Sequence, residues 1–295
     1  MKKITIFFLS ILFLISCVPK QDAIEINPYR LSNDQAPWII GHGGAKDLFP
    51  ENTMLAFQGA VDFGVDALEM DVTMTKDEVL VTHHDLSIDA RSNGTGNVID
   101  YTYQELLQFN FADDFKDIAG NNPYQNDTIA IGKLENVFIK FGDMPLMVEI
   151  KDRGEDGKRA AEALKTLIET YQIENNIVVV AFSEETLAYF YDITDGEILI
   201  GTSEEETKNF VFTGLSAMEF LYNPTASVVA IPTSNSGINL GTKRIIKSAH
   251  RRNMAVHYWT INEKEEMREL INLGADGLIT DRPDIMKALL IEMGF

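Results

Sequence analysis

One cysteine, Cys17, serves all 295 residues, so no disulfide can form within the chain. Tryptophan is scarce, with two residues, and basic side chains are outnumbered, 25 Lys and Arg against 45 Asp and Glu. The resulting formal charge of −20 repels nucleic acid and anionic lipid headgroups, which argues against a polyanion-binding role. It also slows an anionic substrate unless a cation sits in the site. No G-x-G-x-x-G follows the first candidate strand, which weakens a Rossmann reading. The hydrophobic share of 45% is nevertheless enough to fill a sizeable core.

The N-terminus reads as an export signal rather than as part of a fold. Lys2 and Lys3 precede an apolar run, Ile4–Ile15, that is too short to span a bilayer comfortably. It ends in Leu14-Ile15-Ser16-Cys17, which resembles the lipobox of bacterial lipoproteins, and the resemblance implies that Cys17 becomes the acylated first residue. Residues 1–16 are thus expected to be a signal peptide and 17–36 a polar tether. The expected location is a membrane-anchored, exported lipoprotein. Loss of Lys2 and Lys3 takes the mature charge to −22.

From residue 37 to 295, apolar runs alternate with amphipathic stretches. Candidate strands are Trp38–Gly41, Ala67–Val72, Val79–His83, Leu146–Ile150, Ile177–Phe182, Ile198–Gly201, Ser227–Ile231, Ala255–Trp259 and Gly277–Ile279. Helix-like segments such as Asn52–Phe63, Lys158–Tyr171, Thr242–Arg252 and Glu263–Leu273 lie between them, with Asn52 in N-cap position. Such alternation signals parallel βαβ units. About eight of them in this length predict an α/β fold of the closed TIM (β/α)8 type. The rhythm breaks over about 86–133, which predicts an insertion after the third strand, with a short helix near Tyr103–Phe109.

Residues two apart in a strand share a face. Glu69 and Asp71 therefore point together at the end of one strand, and Glu149 and Lys151 at the end of another. Barrel strands converge at their C-terminal ends. Three carboxylates gathered there need a cation to stay ionised together, and oxygen ligands suit Ca²⁺ or Mg²⁺. His42 and His84 occupy equivalent strand ends and can divide acid and base roles between them. His83 falls on the opposite face and is expected to pack or meet solvent.

The ordered segments His42-Gly43-Gly44, Pro50-Glu51-Asn52-Thr53, Leu68-Glu69-Met70-Asp71-Val72, His84-Asp85 and Asn93-Gly94-Thr95-Gly96 resemble motifs of the glycerophosphodiester phosphodiesterase family. Glu149-Ile150-Lys151, Trp259-Thr260-Ile261-Asn262, Gly274-Ala275-Asp276-Gly277 and Thr280-Asp281-Arg282-Pro283 continue the match in order. The resemblance implies a TIM barrel with an insertion after the third strand. It makes Glu69, Asp71 and Glu149 ligands of one divalent metal, and His42 and His84 the acid–base pair. It places Glu51 at the metal or its waters, Lys151 at the phosphate, Trp259 on the pocket wall and Asp85 at the local turn. The substrate would be a small phosphodiester, cleaved to an alcohol and a phosphomonoester, and no protein partner is indicated. The family usually carries arginine where Gly43 stands, and Asp89-Ala90-Arg91 also departs from its pattern. The phosphate is then left to the metal and Lys151, with Lys46 or Arg153 in reserve. A phospholipase D-like or cyclising lyase reaction, and a non-catalytic binding lipoprotein, are the rival readings.

Overall fold

The computed structural model describes residues 27–32, 35–124, 126–216, 218 and 221–295. The expected signal peptide, Cys17 and most of the expected tether lie outside these residues. Eight parallel strands form the body: β1 (Trp38–Gly41), β2 (Ala67–Met74), β5 (Leu146–Ile150), β6 (Ile177–Val180), β7 (Leu199–Ile200), β8 (Val228–Ile231), β11 (Ala255–Tyr258) and β12 (Gly277–Thr280). They run in the order β7-β6-β5-β2-β1-β12-β11-β8. A parallel bridge from Gly201 to Val228 closes the ring between β7 and β8, supported by Ser227 N–H donating to the Ile200 carbonyl at 2.8 Å. This is the expected TIM barrel.

Each strand is followed by a helix that packs outside it: α1 (Met54–Asp62), α3 (Leu134–Phe141), α4 (Gly154–Tyr171), α5 (Glu184–Ile193), α6 (Glu204–Leu215), α7 (Lys243–His250), α8 (Lys264–Leu273) and α9 (Pro283–Met293). Hydroxyls of Thr53, Ser183, Ser203 and Thr242 cap four of these helices, satisfying N–H groups that the first turn leaves open. Among the described residues no helix is long and apolar enough to cross a membrane. Strand alternation divides the core in two. Leu68, Met70, Val72, Leu146, Val148 and Ile150 face the helices, whereas Ile40, Ala67, Met147, Val178, Val228, Ala255 and Ile279 fill the barrel interior.

Three expectations need correction. The expected third barrel strand is β3 (Leu80–Thr82), but it runs antiparallel to β2 and pairs on its far side with β4 (Gly132–Lys133). β2 outlasts its neighbours by several residues. A tight turn, in which Thr75 N–H donates to the Val79 carbonyl at 3.0 Å and Glu78 takes φ +62°, then folds the chain back. The hairpin belongs to the inserted layer, whose own core holds Val81, Ile88, Val98, Leu106, Phe111 and Ile131. Its short helix, α2 (Tyr103–Leu106), falls where one was expected. Thr53, rather than Asn52, caps α1. Finally, the tether does not extend to residue 36. Asn27 donates through Nδ2 to the carbonyls of Ser227 (2.7 Å) and Asn253 (2.8 Å), and Tyr29 is 2% exposed within the interior layer. A small hairpin, β9 (Ser234–Asn235) with β10 (Ile238–Asn239), follows β8.

Candidate active site

The alternation that buries Ala67 and Met147 inside the barrel carries Glu69, Asp71, Glu149 and Lys151 inside as well, one layer nearer the C-terminal mouth. Asp71 pairs in register with Glu149 across β2 and β5. One ligand oxygen from each of Glu69, Asp71 and Glu149 lies within 4.8 Å of the other two. Glu69 and Asp71 are 5% and 3% exposed. Lys151 Nζ donates to Asp71 Oδ1 (2.8 Å) and Glu149 Oε1 (2.7 Å).

One ammonium does not balance three carboxylates, two of them buried and Glu149 half-buried, and the acidities reflect this. Burial, then the charge of Asp71, pushes the Glu69 carboxyl up to about 8. Burial also raises Glu149, against the pull of Lys151. For Asp71 burial acts upward too, but Lys151 and the amide of Asn52 outweigh it and hold the group below its usual range. A largely buried, oxygen-only, charge-deficient cluster fits a hard divalent cation.

Two residues, Gly43 and Asn52, orient these carboxylates. Gly43, at φ +49°, turns its N–H onto Glu69 Oε2 at 2.9 Å. Asn52, itself at φ +57°, donates through Nδ2 to Asp71 Oδ2 (2.8 Å) and accepts from Asp71 N–H (3.1 Å). Asparagine tolerates this left-handed conformation better than most residues, which accounts for its place here in physical terms.

His42 follows β1, and its Nδ1 sits 2.5 Å from Asp281 Oδ1. Asn262 fixes that carboxylate, donating to Oδ2 at 2.7 Å and accepting from the Asp281 N–H at 2.9 Å. Burial alone would lower the His42 pKa, but the Asp281 hydrogen bond and the charge of Glu69 outweigh it and raise the imidazole to about 9. His84 is more open, with Nδ1 2.8 Å from Asp85 Oδ1. His83 turns away into the insertion, its Nε2 3.0 Å from the Ser87 carbonyl and its ring edge-on to Phe111.

A cleft of about 400 Å³ opens over this cluster, lined by His42, His84, Lys151, Phe182 and Trp259 among others. Lys151 Nζ lies 5.8 Å from the Phe182 ring centre. The structure thus brings together His42, His84, Glu69, Asp71, Glu149, Lys151 and Trp259. Glu51 is not among the lining residues. Its carboxylate pairs with Lys46 (2.7 Å) and Arg91 (2.5 Å), so it pins two loops and keeps both cations, Lys46 included, engaged beside the cleft. Asp281, Asn262 and the clamp made by Asn52 lacked a role at the level of sequence. The signal available was strand parity, since Asp281 lies two residues beyond the inward-facing Ile279.

Several known proteins share this arrangement of chain. A glycerophosphodiester phosphodiesterase of Bacillus altitudinis is 28% identical over 262 residues, covering 86% of this chain and 98% of its own. A lysophospholipase D of Rattus norvegicus is 28% identical over 274 residues, covering 86% of each. The structure of an Oleispira antarctica phosphodiesterase in complex with the product sn-glycerol-3-phosphate superposes with a TM-score of 0.71. That structure covers 87% of this chain and 97% of its own at 19% identity, a likeness of fold. Residues 42–285, from the first histidine to the start of the last helix, match the model of the glycerophosphoryl diester phosphodiesterase family, and it is to this family that the chain belongs.

Proposed function

We propose that the protein hydrolyses glycerophosphodiesters to an alcohol and a phosphomonoester, with one divalent cation, Ca²⁺ or Mg²⁺, held by Glu69, Asp71 and Glu149. The observation that carries this reading is the largely buried carboxylate triad, its oxygens within 4.8 Å of one another, set beside two histidines in one cleft. Such a cation supplies Lewis acidity and countercharge at the phosphate. Lys151 adds a second positive charge, already fixed between Asp71 and Glu149. One histidine takes the proton of the attacking oxygen, from water or a vicinal hydroxyl of the substrate, as the new O–P bond forms. The other returns a proton to the alkoxide as the old P–O bond breaks. Where the attacking oxygen is the vicinal hydroxyl, the cyclic phosphate it leaves is opened by water in a second displacement to give the phosphomonoester. The charged form favoured by Asp281 suits His42 to donate, which leaves His84 to accept. Trp259 and Phe182 offer an apolar wall to the alcohol.

The test is hydrolysis of glycerophosphocholine, glycerophosphoinositol and a lysophospholipid side by side, with and without chelator. Turnover of the small diesters that EDTA abolishes and Ca²⁺ or Mg²⁺ restores is the expected result. Full activity in excess chelator would remove the cation from the reading. Preference for the lysophospholipid would instead favour the reaction named in the rat relative.

We further propose that acylated Cys17 anchors the protein in a membrane. The support is the sequence Leu14-Ile15-Ser16-Cys17 behind a short apolar run. The expected outcome is partition of the protein into detergent, lost in Cys17→Ala.

A further inference from the structure

The described chain enters the barrel from its floor. Asn27 is bonded to Ser227 and Asn253, just ahead of β8 and β11, and the Leu31 N–H donates to Asp276 Oδ1 at 2.9 Å, just ahead of β12. All three anchor points lie at the N-terminal ends of the strands, opposite the cleft. Tyr29 packs into that end, its ring edge-on to Trp38 at 5.2 Å.

Nine residues, ten Cα–Cα steps, separate Cys17 from Asn27. Whatever path they take, they span at most roughly 35 Å. A globular body of this length is roughly 45–50 Å across. Setting the mouth on the bilayer that holds Cys17 would make the tether run almost fully extended along the whole side of the barrel, whereas a floor-down seating uses little of its length. Charge opposes the same arrangement. The first turns of α4, α5 and α6, which follow the C-terminal strand ends and so ring the mouth, expose Glu155, Asp156, Glu184, Glu185, Glu204 and Glu205. Nearby lysines and Arg159 pair with four of these six, leaving this arc of the mouth net negative and repelling anionic headgroups, while α7 places Lys243 and Arg244 in its first turn on another arc.

We propose that the protein sits floor-down, its cleft facing away from the bilayer that anchors it. Its substrate is then a water-soluble glycerophosphodiester arriving from the aqueous side, not a lipid of the same leaflet. The orientation rests on the Cys17 anchor, and the substrate class on the phosphodiesterase reading above.

The chain's two tryptophans mark its two ends, Trp38 at the floor and Trp259 in the cleft. The full chain is placed on vesicles carrying dansyl-labelled headgroups, by its own acyl group or, if mass spectrometry finds Cys17 free, by coupling Cys17 to a maleimide lipid. Energy transfer is then read from Trp38 in Trp259→Phe and from Trp259 in Trp38→Phe. If Trp38→Phe loosens the floor, Trp38→Tyr keeps the contact with Tyr29 and takes its place. Transfer from Trp38 should exceed that from Trp259 severalfold. Equal transfer, or stronger transfer from Trp259, overturns the orientation. A free thiol in the exported protein counts against acylation alone, since the coupled sample still reports which end faces the lipid. The readout is optical and so does not depend on whether any diester is hydrolysed.

Discussion

His42 is held by a carboxylate that is itself held, since Asn262 grips Asp281 through both its side chain and its N–H. His42→Ala and His84→Ala should each lower kcat on a small glycerophosphodiester by roughly 10²–10⁴-fold, the usual contribution of a general acid or base. Asp281→Asn should leave the imidazole in place but remove the charge that raises its pKa. The limb of the kcat/KM pH profile that belongs to His42 should therefore move to lower pH, and an unmoved profile would deny Asp281 that role. His83→Ala should spare the chemical step and lower the melting temperature, because that ring packs in the insertion. Strand parity made Glu69, Asp71 and Glu149 legible from sequence, and His42 was legible as a strand-end residue, whereas His84 reaches the cleft from the antiparallel β3. Asp281 stands 239 residues from His42, and nothing local announces that they meet. The pairs that Glu51 makes with Lys46 and Arg91 were not legible for a related reason: an acid in a loop has no parity to fix its direction.

The hairpin of β3 and β4 is tied to the carboxylate cluster both by its pairing with β2 and through one residue of a neighbouring loop. Thr82 donates through its hydroxyl to the Asn52 carbonyl at 2.6 Å, and Asn52 clamps Asp71. Gly132 on β4 is the close-packing point, where an added Cβ would lie 2.0 Å from Thr82 Oγ1 and 3.0 Å from the Asn52 carbonyl oxygen. Gly132→Ala should therefore cost about 1–3 kcal/mol in stability, as overpacking does, and should also weaken Ca²⁺ or Mg²⁺ binding by displacing Asn52. Thermal melts across a cation titration read both effects. An unchanged cation midpoint in a destabilised variant would show that the hairpin and the triad are not coupled in this way. The antiparallel sense of β3 was not legible, because a short apolar run has the same pattern whichever way it lies. What sets it is the turn after the overlong β2, held by Thr75, Asp77 and the left-handed Glu78. The eight parallel strands were legible, since fully buried strands read as near-continuous apolar runs.

Across the whole molecule, the barrel interior is apolar at the floor and charged at the mouth, with one exception. His257 lies on β11 in register with Gly277 and Ala230, is 0% exposed, and among the described residues neither ring nitrogen has a well-formed hydrogen-bond partner. The Tyr29 backbone exerts only a weak upward pull on the ring. Burial accordingly drives the imidazole down to about 4, against the weaker upward pull of Asp276. The folded state therefore stays neutral at this position while the unfolded chain takes up a proton below its ordinary value of 6.5. Stability from this group is fully present above pH 6.5 and is lost as pH falls from there toward 4. At pH 5 the loss amounts to about 2 kcal/mol. Leucine at this site would be of similar size and would not titrate. His257→Leu should thus gain about 2 kcal/mol relative to the unsubstituted protein between pH 7.5 and pH 5, which for a chain of this length is a few degrees in Tm. The comparison is made as the difference between the two proteins at each pH, because Glu69, Asp152 and the other titrating groups are common to both and cancel. A gap in Tm that stays constant across that range would mean that His257 has a partner when the protein is in solution, and that the barrel floor is wetter than its packing implies.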